Sequence, residues 1–581
     1  MSCAVYIDMP DGVRLAADVW LPDRADRVGT LVSFTRYWRA RAFEPPADDV
    51  SEDVAAALRH GYAAVVVDAR GSGASFGSRA AEFSPCETRD FKFVVDWIAA
   101  QPWSNGRVAA IGVSYSGNTA EHAAHDPSPA LVAAVPRFTD FDAYASILFP
   151  GGLRNTLISG TWAAGVRALD GNRVPQGGWR SEPGHGARIR GVKPVDDDAD
   201  GSQLARAVAQ HEQNQDFFAL LSRAEFRDDL NLTGDVAGPC GTTVTPYLLR
   251  RRTKAKTVPC FHWGSWMDAG TAAGVLARFA SDPDAASYMI GAWSHGGELD
   301  ANVFRTDAAE VAANVEEQSA QIFDFLAPLL RGGANDRTRT GLTYFTMGEN
   351  TWKHTRSWPV AGTVSHRWFL APSGALQTDS PAAGAGSDRY VVDYSAGTGT
   401  KTRWSTQLGG SDVFYGDRRD ADSILLTYTS PPLAEDTEIT GCPVVQLFVA
   451  STHDDGALIA YLEAAAPDGR VTMITEGHLR LINRRVSADA PPYPVSGPHH
   501  TFERKDAAPM VPGEIAEIRF ALLPTSVRIP RGHCVRLALA GHDRDCFARY
   551  PAHGAATLDI HRSSAHPSSL MLPIVDAGHL Q

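Results

Sequence analysis

Long apolar runs, paired cysteines and basic clusters are all scarce in this 581-residue sequence, and each shortage excludes a class of protein. No uninterrupted apolar stretch approaches the ~20 residues that cross a bilayer as a helix, so a membrane-embedded chain is not expected. The seven cysteines (Cys3, Cys86, Cys240, Cys260, Cys442, Cys534 and Cys546) are odd in number, scattered, and never spaced C-x-x-C. That usage fits free buried thiols in a reducing compartment better than a disulfide framework or a zinc site. No basic segment followed by an apolar core opens the sequence, so no secretory signal is expected and a cytoplasmic protein fits best. Lys and Arg total 54 against 67 Asp and Glu, a formal net charge of −13, and Arg250-Arg251-Arg252 is the one short basic stretch. Nucleic-acid binding requires a basic face that neutralises phosphates, so neither nucleic acid nor an anionic membrane is an expected partner. Self-association is left open.

What is present is an ordinary globular composition, 44% apolar and 21% charged, in which disorder is not expected over most of the chain. At ~100–200 residues per domain, about three domains are expected. Residues 13–21 alternate apolar and polar like an edge strand, and 30–34 and 63–67 are short β-branched runs. A helix is predicted over 87–101, with Phe91, Val94, Val95 and Ile98 on one face. Strand 108–112, helix 119–125 and strand 131–135 follow, and such alternation implies crossover units and a mostly parallel sheet. The rhythm then breaks. Residues 153–232 read as helical and polar, with Ser202 as a helix cap. Strand and helix signals return at 258–263, 269–279 and 288–291. Beyond about His366 only short strands remain, between Pro, Gly and Asp turns, the signature of a β-sandwich or jelly roll. The expected layout is an α/β-hydrolase domain over residues 1–143 and 241–363, an inserted helical cap over 144–240, and an all-β jelly-roll domain over 364–581.

The strongest local signal is Ile111-Gly112-Val113-Ser114-Tyr115-Ser116-Gly117, where an apolar strand runs into a serine and a helix begins at once. That context matches a nucleophile elbow, a sharp turn that lifts a serine hydroxyl above the carboxyl edge of a sheet. Small residues are needed where strand and helix crowd together. Gly112 supplies one, while Ser116 stands where glycine is usual. The string alone is common by chance, and a buried turn serine is its bland alternative; the strand–turn–helix setting favours the catalytic reading.

A serine hydroxyl needs a base to take its proton, and in this fold an acid and then a histidine follow the serine. Both positions are filled. Asp268 and His295 each stand just after a strand-like run, in Trp266-Met267-Asp268 and Trp293-Ser294-His295. His262 is the rival, but its place within or at the end of a strand favours a packing role. Glu298 and Asp300 follow the histidine, in the wrong order for the acid, and read as surface residues. Donors for a developing oxyanion are expected from the Tyr115 amide and from the loop after an early strand, where Tyr37 offers its phenol or simply packs. Asp196-Asp197-Asp198-Ala199-Asp200-Gly201 imitates half of a calcium loop, but Ala207 stands where a bidentate Glu is required. It reads as a solvated acidic loop. No metal site and no cofactor are expected.

The elbow, Asp68-Ala69-Arg70-Gly71-Ser72-Gly73, Trp293-Ser294-His295 and Met347-Gly348-Glu349-Asn350-Thr351-Trp352 together resemble the CocE/NonD family of hydrolases. So does Ser430-Pro431-Pro432-Leu433-Ala434-Glu435-Asp436, which looks like the start of the family's C-terminal X-Pro dipeptidyl-peptidase-type domain. The resemblance covers nearly the whole chain. It implies Ser114 as nucleophile, Asp268 as acid and His295 as base, with Tyr37 and the Tyr115 amide as oxyanion hole. It also implies a cap whose Phe149 and Trp162, with Trp266, line an acyl pocket. Family members that recognise a free α-amino group place carboxylates just after the triad acid. Here Ala269-Gly270-Thr271 follow instead. The expectation is therefore a carboxylesterase acting on a small molecule with a neutral or hydrophobic acyl group. An amidase, acylase or X-Pro-type dipeptidyl peptidase is the nearest alternative, and a non-catalytic binding protein a distant one.

Overall fold

The computed structural model describes residues 2–23, 26–47, 49–175, 188–230, 245–248, 258–284, 286–334, 340–384 and 386–576. Cys240 and the Arg250-Arg251-Arg252 stretch lie outside them.

The strands of the first half are β1 (Ser2–Asp8), β2 (Arg14–Trp20), β3 (Val28–Thr35), β4 (Arg41–Glu44), β5 (Ala63–Asp68), β6 (Ser104–Val113), β7 (Leu131–Arg137), β8 (Arg188–Val192), β9 (Cys260–Ser265), β10 (Ala286–Gly291), β11 (Gly341–Thr346) and β12 (Thr351–Thr355). All but β4 and β8, which pair with each other, build one ten-stranded sheet in the order β1-β2-β5-β3-β6-β7-β9-β10-β11-β12. Its centre is parallel throughout, and Val65, Val67, Ala109, Ala110, Ile111 and Val135 are buried on both faces. A parallel sheet needs that double cover because its crossovers lay helices on each side. The helices are α1 (Glu52–Arg59), α2 (Pro85–Ala99), α3 (Tyr115–His125), α4 (Ala163–Asp170), α5 (Ser202–His211), α6 (Phe217–Arg223), α7 (Thr271–Ser281) and α8 (Val315–Leu330). In α2 the side chain of Ser84 accepts the Glu87 N–H and Pro85 opens the first turn, an arrangement that satisfies an orphan donor and presets φ. Its Phe91, Val94, Val95 and Ile98 face the sheet, as the spacing predicts.

Between β7 and β9 lie α4, α5, α6 and two π-helical turns, Tyr144–Leu148 and Leu157–Trp162. Helix α5 begins at Ser202, but its cap is not Ser202. The Asp198 carboxylate accepts the N–H groups of Gln203 and Leu204 at 2.9 and 2.8 Å, a bidentate role that a short serine hydroxyl cannot fill. The acidic loop is likewise structural rather than merely solvated: Asp196 accepts the Ala4 N–H and Asp200 that of Ser202.

From Thr363–Ala371 to Ser569–Val575 the described chain is a fourteen-stranded, almost wholly antiparallel assembly. Ala457–Ala465, its buried centre, pairs with Val471–Arg480 on one side and Cys534–Ala540 on the other. Cys3, Cys260, Cys442, Cys534 and Cys546 are free, but Cys86 is in a disulfide, which corrects the expectation of free thiols throughout. No helix among the described residues is long and apolar enough to cross a membrane.

Candidate active site

Ser114 sits between β6 and α3 with φ 60° and ψ −123°. A non-glycine residue with positive φ costs about 1–3 kcal/mol and persists only where its surroundings enforce it. Here the Ser114 N–H donates to the Arg137 carbonyl at 3.0 Å, and the Ser114 carbonyl accepts the Asn118 N–H at 2.8 Å. The tightness of the turn explains its small residues. A Cβ on Gly112 would lie 2.4 Å from the Ser116 backbone, and one on Gly117 would lie 2.6 Å from the Arg137 carbonyl oxygen. The serine at position 116 is accommodated because Gly112 leaves the room.

Asp268 follows β9 and His295 follows β10, adjacent parallel strands. The His295 Nδ1 stands 2.9 Å from Asp268 Oδ2, and both residues are buried. Burial lowers the pKa of His295, but the Asp268 carboxylate, with a smaller push from Asp140, outweighs it and leaves the imidazole above its ordinary 6.5. Its Nε2 makes no hydrogen bond among the described residues. Gly296 lies against Val113, next to Ser114, which brings the histidine turn up to the elbow. His262, within β9, stacks on Tyr288 and interacts with the buried Glu121, a packing position away from this cluster. Glu298 is exposed and Asp300 accepts the Asn302 N–H.

The loop after β3 brings Tyr37 to Ser114. Its hydroxyl accepts the Trp162 indole N–H at 3.0 Å and hydrogen-bonds the Ser114 side chain. Burial raises the phenol's pKa, so the hydroxyl keeps a proton to donate. The Tyr115 amide opens α3, where first-turn N–H groups have no acceptor within the helix. The Asp68-to-Gly73 motif holds this loop in place. Asp68, at the end of β5, accepts the Arg39 N–H at 2.6 Å and the Ala74 N–H at 2.8 Å. Gly73 packs so closely on the Asp68 carboxylate that a Cβ would lie 2.2 Å from it.

Ser114, Tyr37 and Tyr115 open onto one cavity whose far wall is apolar, with Ile147, Leu148, Ile158, Trp162, Phe217 and Leu221 from the inserted region. The two π-helical turns supply four of these. Of the three aromatic residues expected in the lining, only Trp162 is on the wall. Phe149 stacks on Tyr144 in the core, and Trp266 donates its indole N–H to the Phe345 carbonyl at 2.7 Å beneath the sheet edge. Sequence reasoning missed five polar residues of the wall, Glu82, Asn118, Asp140, Thr245 and Gln407. Glu82 is matched by Arg36 and by Arg79. Arg278 donates to the Asp140 backbone carbonyl rather than to its carboxyl. Burial, then the neighbouring Asp268 charge, pushes its carboxyl up to about 7, and Asn118 hydrogen-bonds it. Its place just beyond the carboxyl end of β7 was the available signal, since ligands of open α/β sheets bind there. Gln407 had none, being supplied by the C-terminal half.

Residues 11–297 match the model of the X-Pro dipeptidyl-peptidase (S15) family, and residues 336–571 match that of the X-Pro dipeptidyl-peptidase C-terminal non-catalytic domain. A Mycobacterium bovis protein named as a serine esterase is 37% identical over 99% of this chain and 95% of its own. Cocaine esterase of a Rhodococcus species is 25% identical over 98% of each chain. Among solved structures, an aminopeptidase from a marine sediment Thaumarchaeota archaeon has the same fold, with a TM-score of 0.75 at 19% identity over 99% of this chain and 96% of that one.

Proposed function

The chain belongs to the CocE/NonD serine hydrolases, the family of the S15 X-Pro dipeptidyl-peptidases and of cocaine esterase, and from that premise we propose that it hydrolyses carboxylic esters of a small, neutral or hydrophobic acyl group through an acyl-enzyme on Ser114. The observation that carries the reading is the strained Ser114 on a largely apolar cavity, with His295, paired to Asp268, on the turn whose Gly296 lies against Val113. Ser114 Oγ attacks the ester carbonyl carbon as His295 Nε2 takes its proton, and the oxygen that becomes negative meets the Tyr37 hydroxyl and the Tyr115 amide. Collapse breaks the bond to the alkoxide, which leaves with the proton from His295. Water, deprotonated by the same nitrogen, then frees the acid and restores Ser114. Ser114 pairs with Tyr37, and its bond to His295 forms when substrate takes over the Tyr37 hydroxyl.

A cytoplasmic setting belongs to the same proposal, supported by the five free thiols and opposed by the disulfide at Cys86. An amidase or X-Pro-type peptidase is the second reading. It is favoured by the Asp140 carboxyl on the cavity wall, which is able to meet an ammonium group.

The first test is the intact mass after incubation with a small fluorophosphonate, followed by peptide mapping. One adduct, on Ser114, is expected, together with faster turnover of an ester than of the anilide of the same acid. A folded protein without adduct overturns the mechanism, and a faster anilide selects the second reading.

The pH profile follows from His295, which works as a base only when neutral. Because its pKa is raised, kcat/KM should climb through a midpoint above 6.5 and level off beyond it. A midpoint below that value would show burial, not Asp268, in control.

A further inference from the structure

The C-terminal domain bears a non-catalytic description, yet its chain reaches the catalytic carboxylate. The Gln407 side-chain amide donates to Asp268 Oδ1, the oxygen His295 does not use, and its nitrogen stands 3.2 Å from His295 Nδ1. Asp268 Oδ2 serves His295 at 2.9 Å, with the Thr271 hydroxyl at 3.3 Å. Neighbouring contacts repeat the pattern. The His295 N–H donates to Thr406 Oγ1 at 2.9 Å, and the Ala269 N–H to the Arg403 carbonyl at 2.9 Å. Gly410 abuts the His295 carbonyl so closely that a Cβ there would lie 2.6 Å from the oxygen.

The donor is mounted on a rigid base. Gln407 ends a short 3-10 turn, Ser405–Gln407. Just before it, Trp404 is fully buried, its indole N–H donating to Glu476 Oε1 at 2.6 Å on the central strand pair. Thr402 and Ser405 close the turn through their hydroxyls. A group held by packing on regular elements keeps its partner within a few tenths of an ångström, as catalytic geometry requires.

We propose that Gln407 is a positioning residue for the triad, through which the C-terminal domain fixes Asp268 and sets how strongly its charge acts on His295. The inference rests on the assignment of Asp268 and His295 given above. The chemistry is direct. A carboxylate with one oxygen pinned by an amide N–H cannot rotate, so the other oxygen stays aimed at Nδ1 and the imidazole keeps Nε2 toward Ser114. The same N–H draws off part of the carboxylate's charge. Asp268 and Asp140 are the acidic groups that act on His295, so removing the donor should leave the imidazolium more strongly stabilised.

The test compares the full-length wild type with Gln407→Leu and Gln407→Glu, reading kcat and KM for one small ester, their pH profiles and thermal unfolding. Gln407→Leu should lower kcat by about 10- to 100-fold, the range of a hydrogen bond to a charged group. KM should stay nearly unchanged, and the acid limb of kcat/KM should move to higher pH. Gln407→Glu donates only when protonated, so its kcat/KM should rise as His295 loses its proton and then reverse, falling as the introduced carboxyl ionises where the wild type levels off. A merely structural role predicts neither reversal nor shift. Wild-type kcat and pH profiles in both variants would overturn the proposal. So would losses that track unfolding alone, with an unmoved limb in the folded fraction. The low-field Nδ1 proton resonance of His295 provides a reading that needs no turnover: it should shift in Gln407→Leu, and an unchanged resonance counts against the proposal. Fluorophosphonate labelling of wild-type Ser114 separates the two levels, since an unreactive wild type refutes the triad assignment itself, whereas equal reactivity in all three proteins refutes only the part given to Gln407.

Discussion

Replacing His295 by alanine is expected to cut kcat for a small ester by about a millionfold, the scale seen when a triad base is removed from a serine hydrolase. The size follows from the nucleophile. A serine hydroxyl is almost wholly protonated at neutral pH and attacks only when a base takes its proton. His295 Nε2 is unpaired, and its Nδ1 is committed to Asp268 at 2.9 Å. Tyr37 is bonded to the Ser114 side chain, but a phenol whose pKa is raised by burial holds its own proton. The variant should still bind substrate but unfold somewhat below the wild-type temperature, because the buried Asp268 carboxylate loses the His295 N–H and keeps the Gln407 amide and the Thr271 hydroxyl as donors. The measurement is steady-state turnover alongside fluorophosphonate labelling. A loss smaller than about tenfold would mean that the base lies elsewhere.

Replacing Arg278 by alanine is expected to have the largest effect on stability, a loss of about 3–5 kcal/mol, because it strips a buried carboxylate of its partner. Arg278, on α7, grips Glu121, on α3, through two bonds of 2.9 and 2.6 Å, and also donates to the Asp140 carbonyl at 2.8 Å. Its guanidinium lies over the Phe141 ring. The two helices begin just after Ser114 and just after Asp268, so this pair ties together the elements that carry them. Although burial opposes ionisation, Arg278 holds the Glu121 carboxyl far below its usual range. A depressed carboxylate contributes stability above its unfolded pKa and loses that contribution as pH falls through the folded value. The gap between wild type and Arg278→Ala in urea midpoint should therefore be widest near neutral pH and shrink in acid. Glu121→Gln combined with Arg278→Ala should recover part of the loss, since no unpaired charge is then left inside. An undiminished gap at low pH would show that lost packing, not charge, explains the variant.

Legibility in this protein follows distance along the chain. The elbow was readable because its requirements are local: an apolar strand, a serine, a helix and small neighbours, all within a few residues. Asp268 and His295 were readable as a pair because they stand on loops after adjacent parallel strands, and order along the chain survives folding. The helical stripe of α2 and the short strands of the C-terminal half were readable for the same reason, since periodicity is written residue by residue.

The wall of the cavity was not. Trp162, Phe149 and Trp266 are equivalent as sequence, each an aromatic residue in an apolar setting, and packing alone put the first on the cavity and the other two in the core. Ser202 and Asp198 both had capping chemistry, and the path of the loop gave the bonds to Asp198. Asp140 acquired its raised pKa from burial beside Asp268, which follows the neighbouring strand β9, far along the chain. Gln407 stands 139 residues beyond the carboxylate it holds, and no spacing rule links them. The sequence by itself determined which residues can do chemistry and the order in which the strands present them, because local geometry and chain order require only near neighbours. The tertiary structure alone decided which side chains surround that chemistry, because contacts between distant segments arise from how whole layers pack and leave no pattern in the stretch that supplies them.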